Sequence, residues 1–215
     1  QEQLELTRRH EVSLAYWRAE WLANSGVPFA YRPKDFENFD ATGNEERTAL
    51  VRSYAEAFPV DHRPMGYLSL VIASRNNGVG KTHLSCAMLQ TIIGRFSETA
   101  RSHAPFRFWT APALKHRIQD AQRFSSKETL TEVYAELASL WLLVLDDVGK
   151  EKLTGADAGL MGEIYFAIIN DRYNAGLPVV LTSNLGFTPL EPGCTALEDV
   201  IGGAECSRLK EMTGS

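Results

Sequence analysis

The chain has 215 residues, 44% of them hydrophobic and 23% charged, the make-up of one ordinary-sized globular domain with a real core. Its net charge of −5 excludes a global basic field, so any contact with nucleic acid must be local or must depend on assembly of several copies. No apolar run approaches the length of about 18 residues that marks a membrane span, and no signal-peptide pattern opens the chain, which leaves a cytoplasmic protein without a membrane partner as the expectation.

Residues 3–24 read as a helix, with Trp17 and Trp21 four apart on one side and Ser25-Gly26 as its stop. The tryptophans are expected to pack on the main body, and a partner-binding helix is the sharper alternative. Residues 27–33 are extended between Pro28 and Pro33, and residues 45–58 form a second helix. A strand over 67–73 runs into the loop 74–82, followed at once by a helix over 81–96. A second strand follows at 106–109, then helical stretches at 111–122 and 127–139. The apolar run 141–145 is a third strand ending in Asp146-Asp147. A long helix over 157–174 precedes a fourth strand, 177–182, which ends in Ser183-Asn184. The remainder is loop, then a short helix at 204–212. Strands alternating with helices, without hairpin signals, predict an α/β fold, a parallel sheet with helices on both faces. Strands 67–73 and 141–145 are apolar throughout, as strands buried on both sides should be.

The stretch YLSLVIASRNNGVGKTHLSCAM, from Tyr67 to Met88, organises the rest. A strand, a glycine-bearing loop and an immediate helix are the setting a phosphate-binding loop requires. Gly78 and Gly80 let backbone N–H groups approach phosphate oxygens, and the new helix points its partial positive charge at the same anion. The run Asn77, Gly78, Val79, Gly80, Lys81, Thr82 and His83 is the expected nucleotide-binding set, although the His83 imidazole itself reads as structural. Lys81 would reach the β- and γ-phosphates of ATP, and the Thr82 hydroxyl would ligate Mg2+. A glycine-rich turn between a core strand and a core helix is the plainer alternative; intact GVGKT with correct flanks favours phosphate. One departure stands out. Arg75 occupies the place of the first glycine in G-x-x-x-x-G-K-[ST], so the first turn must be made by a residue that resists positive φ.

Ligands of open α/β sheets sit beyond the carboxyl ends of the strands. A carboxylate pair after a strand is, taken alone, a cap or a turn. With the phosphate loop upstream, Asp146 becomes the Mg2+ partner and Asp147 the group that orients or deprotonates the attacking water. Asn184 would hold that water or sense the γ-phosphate. Arg208, otherwise a solvated helix charge, has a sharper role as an arginine finger reaching the nucleotide of a neighbouring subunit. Cys86, Cys194 and Cys206 lack metal-site spacing and read, like His116, as structural.

With these stretches together the chain resembles the AAA+ ATPase domain of bacterial and phage replicative-helicase loaders, the DnaC/DnaI kind. The matching segments are SGVPFAYRPKDFENF, GVGKTHL, LLVLDDVGKEKLT, INDRYNAGLPVVLTSNL and SRLKEM. The resemblance implies that Lys81 and Thr82 are the Walker A pair, Asp146 and Asp147 the Walker B pair, Asn184 sensor 1, and Arg208 the trans-acting finger of a ring or helical oligomer. It implies that residues 25–39 lie near the adenine, with an N-terminal helix and linker over 1–26 and the AAA+ domain over 27–215. The chain opens on Gln1 and stops at Ser215, before the family's fifth strand and sensor 2 arginine. That fits a fragment, a trimmed version or a divergent phage protein. The family's single-stranded DNA contacts follow the second strand, where Lys115, Arg117, Arg123 and Lys127 interleave with Phe124; a solvated helical face is the plainer reading there.

The implied function is ATP-dependent loading of a hexameric DnaB-type helicase onto single-stranded DNA in replication initiation. A transposition helper ATPase of the IstB type is the alternative within the same fold. A small-molecule kinase would need a basic lid that the sequence lacks, and a nucleotide-binding scaffold without turnover draws its support from Arg75.

Overall fold

The structure is a computed structural model that describes residues 2–99, 101, 103–123, 125–150, 156–189, 191 and 194–214. Phe124 and residues 151–154 of the third matching segment lie outside the described residues. In chain order the elements are α1 (Glu2–Asn24), a 3-10 turn (Phe29–Tyr31), α2 (Glu45–Ala57), β1 (Leu70–Ala73), α3 (Lys81–Arg95) and β2 (Phe106–Thr110). Then come α4 (Ala111–Ala121), α5 (Leu130–Ser139), β3 (Leu142–Val148), α6 (Ala156–Asn174), β4 (Val179–Ser183), α7 (Leu197–Ile201) and α8 (Gly203–Met212).

Among the described residues all four strands are parallel, in the order β1-β4-β3-β2. After β1 the chain crosses to the far edge for β2 and then fills back through β3 and β4. The carboxyl ends of β1, β4 and β3 therefore stand side by side. Alternate side chains separate two cores. Leu142, Val144 and Val180 face α1, α2 and α3, in a layer that holds Phe58, Phe96 and Phe106. Leu143, Leu145, Val179 and Leu181 face the layer of α4 to α8. Helices on both faces are as expected.

The first strand differs from its expected form. It begins at Leu70 rather than Tyr67 and lies at the sheet edge, with its side chains half-buried and Ala73 exposed. Apolar character was a poor guide because, among the described residues, β4 alone flanks it. Ahead of it, Ser69 donates its N–H to Met212 O and accepts from Val179 N through Oγ. The third strand, by contrast, is buried except at Asp147 and runs through both aspartates to Val148.

Trp21 is 1% exposed, packs edge-on against Phe96 and donates to Arg101 O, so the tryptophan pair does seat α1 on the body. Just beyond, Ser25 O accepts from Phe108 N at 2.7 Å on the outer edge of β2. Gly26 has φ +87°, and a Cβ there would stand 2.1 Å from Phe108 O. Only glycine fits both the conformation and the approach. Helix α5 starts at Leu130, three residues later than expected, because Thr129 and Glu132 form a reciprocal capping box. Helix α7 has too few residues to show a period in sequence; Asp199 accepts from Ala196 N to start it.

Candidate nucleotide site

Directly after β1 the chain makes the loop 74–80 without strain at Arg75. Among the described residues only Asp147, apart from glycines, has positive φ. Gly78 at +74° and Gly80 at +86° supply the left-handed turns, so the missing first glycine is not needed for the loop to form. Helix α3 begins at Lys81, and Leu84 N closes its first turn on Gly80 O. Gly80 also makes room: a Cβ there would stand 2.3 Å from the ring of Phe39. Phe39 in turn meets His83 edge-on, and His83 Nε2 donates to Asp35 O at 2.8 Å. Residues 35–39 are thus clamped onto the loop's last glycine and onto His83 in the first turn of α3.

Lys81 is 8% exposed and wraps back along the loop, donating to Ser74 O and Asn76 O at 3.0 Å. Burial, with Lys150 close by, lowers its pKa below the ordinary lysine value. Thr82 Oγ1 donates to both oxygens of Asp146 at 3.0 and 3.1 Å, joining the loop to the third strand. Asp146 is 1% exposed, and burial raises its carboxyl above the usual range against the lowering effect of the Thr182 hydroxyl.

The aspartate pair owes its geometry to an irregularity. The β3–β4 register shifts between Leu145 and Val148, and Asp147 takes φ +62° within it. An extra residue in one strand bends it and re-aims its side chains. Thr182 on β4 fixes the result, because its hydroxyl donates to Asp146 Oδ1 at 2.6 Å and accepts from Asp147 N at 2.9 Å. Asp147 itself pairs with Lys150 at 2.8 Å. Beside them Asn184 Nδ2 donates to Asn77 Oδ1 at 3.0 Å, while Asn184 Oδ1 is buried without a partner among the described residues.

Five of the expected side chains therefore meet at one sheet end: Lys81, Thr82, Asp146, Asp147 and Asn184, with Asn77 tied to Asn184. Val79 is 38% exposed at the loop's rim. Arg208 does not join them; it pairs with Glu205 at 3.0 Å and lies over the Tyr173 ring. In the region after β2, Arg117 is held by Glu128 and Glu136 and stacked on Trp109, and Arg123 pairs with Asp120. Arg117 is thus spent within the fold, which favours the plainer reading of its charge; Lys127 is exposed. The individual roles of Thr182, Lys150 and Phe39 escaped the sequence reading, although Phe39 lies in the segment expected near the adenine. For Thr182 the signal was available: it precedes Ser183-Asn184 on a strand tip beside the carboxylate pair.

The sequence profile of the IstB-like ATP binding protein family matches residues 67–194, more than half of the chain. The chain belongs to that family. The match spans the phosphate loop, both aspartates and Asn184. No curated protein matches this IstB-like chain. Among solved structures it is similar to the DnaC helicase loader, at TM-score 0.61 and 21% identity over 86% of this chain and 96% of that one. It is similar to DnaI at TM-score 0.58 and 19% identity over 86% and 87%. Domain III of the Thermotoga maritima replication initiation protein DnaA matches at TM-score 0.60 and 18% identity over 83% and 64%. AMPPCP-bound DnaA from Aquifex aeolicus matches at TM-score 0.57 and 21% identity over 86% and 50%. At these identities the likeness is one of fold, the AAA+ P-loop ATPase fold, as the sequence resemblance implied.

The donors present suit a magnesium nucleotide. Thr82 and Asp146 offer hard oxygen ligands within hydrogen-bond distance of each other, and the loop's two left-handed glycines and the start of α3 offer backbone donors to phosphate.

Proposed function

We propose that this chain is a Mg2+-dependent ATPase that loads a hexameric DnaB-type helicase onto single-stranded DNA, working as a ring or helical oligomer. The observation that carries the ATPase reading is the Thr82–Asp146 contact, which joins the phosphate loop to the carboxylate of a neighbouring strand. Bound there, Mg2+ would be held by Thr82 and Asp146 and would neutralise charge developing on the phosphate oxygens. Lys81 exchanges its two loop carbonyls for phosphate oxygens. Asp147, released from Lys150, orients a water for attack on the γ-phosphorus and takes up its proton, while the bond to the ADP oxygen breaks. Asn184, with a free acceptor, helps hold that water. Arg208, engaged away from its own loop, acts on the nucleotide of the next subunit.

The loader reading draws support from the fold shared with DnaC and DnaI along most of their length. The family match equally supports a second reading, a helper ATPase of a transposase. Pull-down by the full chain, with ATP present, from a DnaB-type hexamer and from a transposase separates them. Retention of the hexamer alone supports loading; retention of the transposase alone overturns it. For the finger, Arg208→Ala is expected to keep ATP binding and lose turnover. Normal hydrolysis by that variant removes Arg208 from the mechanism.

A further inference from the structure

Arg75 has no role in the account above, yet its placement is specific. The last residues paired between β1 and β4 are Ala73 and Ser183, and Ser74 N donates to Ser183 O. Arg75 and Asn184 therefore leave adjacent strand tips together. The Arg75 guanidinium reaches across this boundary, with Nη2 4.0 Å from where a Cβ on Gly186 would lie. Gly186 lies two residues beyond Asn184, whose side-chain amide donates to Asn77 Oδ1.

Some surface arginines find acids: Arg9 pairs with Glu5, Arg52 with Glu37 and Arg123 with Asp120. At the site, Lys150 is taken by Asp147 and Lys81 by loop carbonyls. Among the described residues no carboxylate pairs with Arg75, which is exposed at the mouth of a loop whose backbone and helix end already attract an anion. A solvated surface charge is the plainer reading. What sets Arg75 apart is its place, where its guanidinium extends from the loop's entry toward the segment after β4.

We propose that Arg75 is a γ-phosphate contact, the cation by which this chain tells a nucleoside triphosphate from a diphosphate. The inference rests on the nucleotide reading of the site. Lys81 and Thr82 grip the phosphates from the helix side, and Asn184 marks the strand-tip side where the terminal phosphate lies. A planar guanidinium rising from the adjoining strand tip offers that phosphate a forked pair of charge-assisted hydrogen bonds. Arg75 thus supplies at the loop's entry the donors that a glycine there could not.

The test is calorimetric titration of AMPPCP and of ADP, each with Mg2+, into the full chain and its Arg75→Gln and Arg75→Lys variants. Arg75→Gln is expected to lose about tenfold in AMPPCP affinity, the scale of one exposed charge-assisted contact, with ADP affinity within about twofold. Arg75→Lys restores part of the loss. Unchanged or improved AMPPCP affinity in Arg75→Gln overturns the proposal, as does an equal loss for both nucleotides, which would mark a general effect on the loop. If the unaltered chain binds neither nucleotide, the nucleotide site itself is refuted and this role with it.

Discussion

Asp146 sits between two requirements. Its carboxylate must be ionised to hold the proposed cation, yet it is buried and, among the described residues, has only hydroxyl donors against it. Burial raises its pKa above the ordinary 3.8, so the folded chain holds this proton more tightly than the unfolded chain does. The ionised form then costs stability above the folded pKa, and the cost vanishes as pH falls below the unfolded value. Asp146→Asn is accordingly expected to raise the melting temperature of the nucleotide-free chain at pH 7. The gain should shrink toward zero by pH 3.5, and Mg2+-dependent hydrolysis should be lost; melting curves across pH check the sign. Much of this residue-level picture was legible in the sequence, because GVGKT and the aspartate pair are local patterns with a chemical meaning. The contact of Phe39 with the loop was not, because it joins segments far apart in the chain, and the role of Thr182 was hinted at only by its place before Ser183-Asn184.

At the scale of elements, the site depends on how neighbouring pieces are fastened. Arg172, fully buried near the end of α6, donates to Leu137 O and Leu140 O at the end of α5, to Trp141 O and to Pro178 O before β4. Burial pulls its pKa below the usual arginine range, but four carbonyls satisfy the charge. Arg172→Met leaves those carbonyls unpaired and is expected to cost about 3–5 kcal/mol, read from denaturant unfolding. Gly26 fastens the segment after α1 to β2. Gly26→Ala combines a left-handed φ with an overlap on backbone, and about 3 kcal/mol of lost stability, or a melting point lower by about 10 °C, is expected. The alternation of helices and strands was readable from periodicity. The edge position of β1, the shifted register at Asp146-Asp147 and the single short turn of α7 were not. Pairing order and bulges are set by tertiary neighbours, and a helix of five residues carries no period.

For the whole molecule, the negative net charge and the pairing of Arg117 leave a single copy with little to offer a DNA backbone. Binding to single strands should therefore appear with assembly. Size-exclusion and fluorescence anisotropy are expected to show a larger species and stronger oligonucleotide binding when ATP and Mg2+ are added, weakening as salt rises. Equal binding by the nucleotide-free monomer would contradict that link. Beneath all of this lies the claim that ATP is bound and cleaved where β1 meets α3. The most direct test is the phosphate-release rate of the full chain with saturating ATP and Mg2+, with helicase and single-stranded DNA present, against Lys81→Ala under the same conditions. The account predicts steady release that Lys81→Ala abolishes. Release of the same rate from both proteins, or none from the unaltered chain, would contradict it.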